Sequence, residues 1–435
     1  MQSSSERRPT AGPTGSAGAV ALVFAASGFV MAQTLARVPA LRDHVGATEA
    51  ELGLALVGGG IGSLLAMPHT ARLIDRFGNR RVTAVAIVLG SLGWGSVGFA
   101  PNVWVLAGLL VLAGAPVGVW DVSMNIQGNR VEQLRSRTLM PYLHAAFSAG
   151  AVVGASVGAV AAWQGIGLLQ VPVGGVVGLI VGLIAVRHFI PADPLPEETS
   201  RDATPRGTSQ PAANATPRGT SQPAANATPR GTSQPAASAT PRGTRGITRT
   251  ELLIGVVCLA AALAEGAAND WLALLLVDAH DAPAGFGALA FTAFNVTMLI
   301  GRLLGGPATA RWGRANLARA GGVLAGAGIL LITLVPSLEV ALVAALMWGL
   351  GVSTVFPAAI SAAGEIPGRG NKAIGVVSTI AYGAFLFGAP TIGVLAGAFG
   401  LDRALWLVVA FLVLLVVLAG NLGRTSHPSP TRRPT

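Results

Sequence analysis

Charge is scarce in this chain: 11% of its 435 residues are Asp, Glu, Lys or Arg, against 52% hydrophobic. A soluble domain carries about 25% charged residues, so this composition excludes an ordinary water-exposed globule and indicates a chain dissolved largely in lipid. Cysteine is reduced to one residue, Cys258, which excludes an internal disulfide and a thiolate metal cluster. Tyrosine is nearly missing, with 2 residues. No basic stretch is interleaved with aromatic residues, so the net charge of +10 is not laid out to bind nucleic acid. No apolar run holds paired acids or His-x-x-x-His, so neither a membrane-embedded enzyme nor a metal or cofactor site is expected. No soluble signalling domain and no re-entrant selectivity segment is visible, which argues against a sensor and a channel. Glycine, by contrast, is abundant at 58 residues, as suits helices that pack backbone to backbone in lipid.

Twelve apolar runs approach or exceed the roughly 20 residues that cross the hydrocarbon. They cover residues 17–38, 52–72, 82–100, 103–127, 139–162, 167–188, 250–273, 285–306, 317–335, 339–363, 373–398 and 401–420. Arg7 and Arg8 before the first run resemble the start of a signal peptide, but the run is too long for one and reads as an uncleaved helix. Prolines 116, 172, 357 and 390 fall inside runs, which membrane helices tolerate when neighbours re-satisfy the backbone. Glycines at 150, 154 and 158 and at 174, 178 and 182 form ladders of spacing four, each on one helix face.

The chain divides accordingly. Residues 1–16 and 423–435 are tails expected to be disordered, 17–190 and 250–422 are six-helix bundles, and 191–249 is a linker. Within the linker, residues 203–244 repeat the unit ATPRGTSQPAAN three times and begin a fourth copy. With no large apolar residue, this segment cannot offset the entropy of ordering and is expected to be flexible. If the N-terminus is cytoplasmic, all 29 Lys and Arg except Arg37, Arg42 and Arg403 fall on the cytoplasmic side. The positive-inside rule therefore predicts a multi-pass protein with both termini and the linker inside.

Between the second and third runs lies ARLIDRFGNRRV, residues 71–82, a basic turn. It recurs at an offset of 235 residues, where Gly306, Arg311, Trp312, Gly313 and Arg314 match Ala71, Arg76, Phe77, Gly78 and Asn79. Twelve spans in two related halves with a long central linker resemble the major facilitator superfamily. The family's loop pattern Gly-x-x-x-Asp-Arg-x-Gly-Arg-Arg is fitted by Asp75, Arg76, Gly78, Arg80 and Arg81, while Ala71 and Asn79 depart from it. In the second copy Ala310 stands where the acid would be. The resemblance implies an all-α fold of two pseudo-symmetric six-helix bundles, monomeric, in the bacterial inner membrane. It also implies that the two turns, through Asp75, Arg76, Gly78, Arg80, Arg81, Gly313 and Arg314, latch the halves together on the cytoplasmic side. There an acid at a helix corner can meet the positive N-terminus of the eleventh helix, around residues 371–374.

Only Asp121 and Glu265 fall well inside apolar runs, with Asp270 nearer an outer end. Ionisable groups in hydrocarbon face a cavity or a partner and are functional candidates by default. Asp121 and Asn125 share a face of the fourth helix. This Asp-x-x-x-Asn resembles an element of the fucose-permease-like sugar/proton symporters, in which the carboxylate takes part in proton coupling. A structural carboxylate paired with Arg130 is the competing reading. The acid of that branch's first helix is absent here, where Gln33 and Arg37 stand. The helix-five signature of drug antiporters is incomplete as well, since Ala155 and Ala159 replace its Pro and last Gly.

His144 lies in the inner half of the fifth run, a candidate relay partner for Asp121. Glu265 and Asn269 share a face of the seventh helix, and Asn295 and Arg302 one of the eighth. Arg302 either pairs with a carboxylate or snorkels to the membrane edge, and Trp271 is expected as an interfacial anchor. The expected machinery is therefore Asp121, His144 and Glu265 for protons, and Gln33, Asn125, Asn269, Asn295 and Tyr382 for solute. The expected function is proton-coupled transport of a small polar solute, with a sugar as one candidate and proton-driven efflux of a drug or metabolite as the alternative.

Overall fold

Helix starts in this chain are written in short polar signals. The computed structural model describes residues 13–135, 139–190 and 246–423, so the terminal tails up to 12 and from 424, and the repeats at 203–244, lie outside the described residues. The first half contains α1 (Pro13–Leu35), α2 (Val38–Val45), α3 (Glu49–Ala66), α4 (Thr70–Phe77), α5 (Asn79–Ser96), α6 (Val103–Arg135), α7 (Met140–Trp163) and α8 (Gln170–Val186). The second contains α9 (Arg249–His280), α10 (Ala284–Trp312), α11 (Arg314–Leu334), α12 (Leu338–Val352), α13 (Val355–Gly364), α14 (Gly370–Phe399), α15 (Leu401–Ala404) and α16 (Trp406–Leu418). Helices α3 and α9 both open on a capping box, Thr48 with Glu51 and Thr248 with Glu251. Each box satisfies two backbone N–H groups that the helix itself leaves unpaired.

Eleven helical segments among the described residues are long and apolar enough to cross a membrane. Four are composite: α3 runs through a 3-10 turn into α4, α5 ends in a 3-10 turn at Val97–Phe99, α12 continues as α13, and α15 continues as α16. The remaining expected span, the sixth, is α8, an apolar helix of 17 residues. At about 25 Å it sits at the short end of the range that spans a bilayer. The expected tenth span is broken at Ser353–Thr354. Pro357, four residues on from Ser353, removes the N–H that would bond the Ser353 carbonyl and clashes with it.

The packing repeats between halves. In the first half α1 packs on α7, α6 and α8, α5 on α6 and α8, and α3 on α6. The second half reproduces every pair: α9 packs on α14, α12 and α16, α11 on α12 and α16, and α10 on α12. The fold is thus all-α, two pseudo-symmetric six-helix bundles. The glycine ladder of α7 explains the tightest pair. A Cβ at Gly150 would lie 1.9 Å from the Ala25 carbonyl, and one at Gly154 2.5 Å from that of Phe29. Only glycine lets the two backbones approach so closely.

The two basic turns share a backbone as well as a sequence. Gly78 has φ 80 and ψ 146 between α4 and α5; Gly313 has φ 75 and ψ 154 between α10 and α11. This region is essentially reserved for glycine. Nothing lies within 4 Å of a Cβ at either site, so conformation, and not space, requires glycine there.

The bundles meet along two helix pairs, α7 with α10 and α3 with α14. At the second pair, a Cβ on Gly53 would sit 2.6 Å from the Ala389 carbonyl, and one on Gly393 2.5 Å from that of Glu49. At the first pair, Trp163 and Phe286 meet edge to face at 5.7 Å between centroids.

Candidate functional site

Between the bundles lies a cavity of about 50 Å³, room for a few water molecules. Its walls differ in kind. Helices α9 and α10 supply Glu265, Asn269, Asn295 and Arg302 beside the apolar Phe291, Phe294 and Met298; α1 and α7 supply Gly28, Met31, Ala32, Leu35, Phe147 and Ala151, with Ser148 as the one polar group on that side. The i,i+4 pairing of Glu265 with Asn269 and the i,i+7 pairing of Asn295 with Arg302 place each pair on one face.

Arg302 is the hub. Its Nη2 donates to Glu265 Oε1 at 2.9 Å, and its Nη1 donates to Ser148 Oγ at 2.8 Å across the interface. Ser148 in turn donates to the His144 carbonyl. Of the two readings for Arg302, ion pairing is the one observed, and its side chain is 21% exposed. Asn295 is buried and donates to the Phe291 carbonyl at 2.9 Å. The Asn269 side chain has no hydrogen-bond partner among the described residues and borders the cavity.

A second group sits outside this lining. Asp121 Oδ1 accepts from Asn125 Nδ2 at 3.2 Å, the contact that their spacing implies. Tyr382 on α14 is within electrostatic reach of Asp121, which sets the two on facing bundles. Arg130 is nine residues along α6 from Asp121, about 13 Å up the axis, too far to neutralise it. His144 is exposed, packs edge-on against Phe24 at 5.5 Å, and lies within electrostatic reach of Arg302. No hydrogen bond joins His144 to Asp121 among the described residues.

Other expected residues lie elsewhere. Gln33 does not reach the cavity in this conformation: it is fully buried, donates to Thr34 and to the Val171 carbonyl at 3.3 Å, and pairs with Gln170, fastening α1 to α8. Trp271 corrects the expectation of an interfacial anchor, since its ring is fully buried, with Gly393 of α14 packed on it. Asp75, Arg80 and Arg81 are exposed, with no hydrogen bond or ion pair among the described residues, and Arg76 caps the Phe77 ring at 5.2 Å. Arg314 instead makes a two-pronged ion pair with Glu365.

The sequence reasoning missed Ser148 and the partners of Arg42. On α2, Arg42 pairs with Asp278 of α9, with Asp43 at 2.8 Å and, more distantly, with Glu49 at 3.7 Å. An interaction between residues so far apart in the chain has no local signature. Ser148 had one: it follows His144 by one helical turn.

The comparisons with known proteins agree with this architecture. The model of the Major Facilitator Superfamily matches residues 18–275 and again 254–435. The uncharacterized transporter y4wD of Sinorhizobium fredii is 31% identical over 401 residues, covering 92% of this chain and 96% of that protein. Among solved structures, a bacterial homolog of the human lysosomal transporter Spinster, inward-facing and occupied, superposes with a TM-score of 0.68 at 14% identity, over 94% of this chain and 96% of that one. A point mutant of the nucleoside transporter NupG gives 0.67 at 12% identity, over 95% and 99%. At such identities these two structures speak for the fold alone. The chain is a multi-pass membrane transporter, not an enzyme, and belongs to the major facilitator superfamily.

Proposed function

We propose that the chain moves a small polar solute by alternating access, driven by protons, with a sugar as one candidate cargo. Repeat-built transporters bind cargo near the midplane, where the halves meet, and rock about that point. The observation that carries the reading is a cavity between the bundles whose mainly apolar lining is broken by Glu265, Asn269, Asn295 and Arg302. Asp121 serves as the proton acceptor, with His144 and Glu265 as helpers. Asn125, Asn269, Asn295 and Tyr382 bind solute. The working unit is a monomer in the bacterial inner membrane, with both termini and the linker in the cytoplasm, as the distribution of arginine supports.

The test is uptake of a solute panel into proteoliposomes under an imposed pH gradient, comparing the wild type with Asp121→Asn. The variant is expected to lose accumulation while keeping solute exchange. Normal accumulation by the variant would overturn the coupling role of Asp121.

The basic turns act as a latch in this reading. Asp75 engages the first turn of α14 when the bundles close at that end. Its exposure here, without a partner, fits the released state.

A further inference from the structure

The Arg302–Glu265 pair differs from the other ion pairs described in the second bundle, the exposed Arg314–Glu365 and the buried Arg369–Glu251. Arg314 grips Glu365 with both terminal nitrogens, and Arg369 grips the fully buried Glu251 through Nε at 2.6 Å and Nη2 at 2.9 Å. Such two-pronged pairing uses the planar fork of arginine fully. Arg302 gives Glu265 a single nitrogen, and its second goes to a neutral hydroxyl, Ser148. A guanidinium has five N–H donors, so most of this one's capacity is left for something else. The pair also borders a cavity, next to the unpartnered amide of Asn269 and opposite an apolar wall.

We propose that Arg302 is the anion site for cargo, and that the cargo is a hydroxylated monocarboxylate. This deepens the transport reading above and rests on it: Asp121 remains the acceptor through which the proton arrives, and Glu265, its helper, holds that proton beside the cargo. Arginine does not give up its proton in a protein, and a bare charge is costly at this depth. Arg302 therefore needs a counter-ion at every stage of the cycle. In the empty site Glu265 fills that role. In the loaded site the cargo carboxylate takes the guanidinium fork. Two carboxylates on one guanidinium would leave the site net negative, and a proton taken from water through Asp121 onto Glu265 removes that charge. One anion and one proton enter together, and the site's charge does not change. Asn269 and Asn295 then meet the cargo hydroxyls, and Phe147 and Met31 its carbon face.

The other charged and titratable groups around α9 fit this balance. Arg302 of α10 is the facing partner, and His144 of α7 stands within reach of it. On α14 there are Tyr382 and, at the first turn, Lys372; on α15 Asp402 and Arg403; on α9 itself Cys258 and Asp270 and, toward its ends, Arg249, Glu251, Asp278 and His280; on α12 only Glu339, at its far first turn. Helix α2 brings Arg42 to Asp278 at the end of α9. Helices α1, α13 and α16 bring none.

The experiment uses the full chain, with lactate, gluconate and glucuronate as anionic probes and glucose as the neutral control. Ligand-induced thermal stabilisation is read between pH 5.5 and 8, and uptake is read in proteoliposomes. At least one carboxylate is expected to bind, about tenfold more tightly per pH unit lowered while Glu265 is the group taking the proton. Glu265→Gln should bind it without that pH dependence and exchange it without proton-driven accumulation. Arg302→Gln/Glu265→Gln, which removes both charges and so avoids a stranded one, should fold and show no response. If no carboxylate stabilises the wild type, or if Glu265→Gln keeps the pH dependence, the proposal is overturned. Proton-driven uptake of glucose that ignores the carboxylates would overturn it while leaving the transport reading intact.

Discussion

The two ends of the bundle interface are held by different means. At the end carrying Trp163 and α2, the halves touch directly: Arg42 pairs with Asp278, Gly53 and Gly393 bring α3 against α14, and Trp163 meets Phe286. At the end carrying Gly78 and Gly313, the ion pairs described are Arg314 with Glu365 and Arg369 with Glu251, and both partners of each ride on the second bundle. A pair inside one bundle stiffens it without resisting separation of the halves. A pair across the interface must break each time its end opens. A count of ion pairs does not show what each end resists; asking which body carries each partner does.

Four substitutions sharpen this contrast, in descending order of effect. Arg369→Ala strands the buried Glu251 carboxylate, and loss of a charged hydrogen bond of this kind costs about 1.5–3 kcal/mol. The melting temperature in detergent should fall while the balance between conformations, read by labelling of cysteines placed at each end, stays put. Gly393→Leu should do the reverse. Its side chain would collide with the Glu49 backbone, and overpacking costs about 1–3 kcal/mol. Here the cost is escaped by opening that end, so cysteines near Trp163 should label several-fold faster and transport should stall. A label rate equal to that of the wild type would show that α3 and α14 do not form the closed seam.

Asp278→Asn removes one partner of Arg42, whose side chain keeps Asp43 and Glu49 nearby. A partly exposed pair contributes about 0.5–1 kcal/mol, so labelling at that end should rise about two- to fivefold, less than for Gly393→Leu. Asp75→Asn should leave the melting temperature unchanged, because the carboxylate has no partner among the described residues, and should alter only transport turnover. A clear loss of stability would mean that Asp75 is engaged in the resting protein.

Much of the architecture was legible because its causes are local. Span length and hydropathy are read within one window, and the Gly78 turn could be matched to Gly313 because a rare backbone conformation demands the same residue twice. Asp121 and Asn125 were legible through helical spacing. The break after Val352 had its signal in Pro357, though an apolar run alone does not show it. What could not be read was which face of a helix meets which neighbour. Gln33 looks like a cavity residue until α8 is seen to cover it, and Trp271 looks like an anchor until α14 packs on its ring. Arg42 and Asp278 come together only because two halves close at one end, a global event with no trace in either segment.

The glycine ladder on α7 has a further consequence. With the carbonyls of Ala25 and Phe29 occupying the space where side chains would stand on Gly150 and Gly154, these two rods are seated into each other and cannot slide or roll separately. They should travel as one lever. Spin labels placed on the lipid-facing sides of both should report an unchanging separation through the working cycle, while a label pair straddling Ser148 and Arg302 swings between two distances.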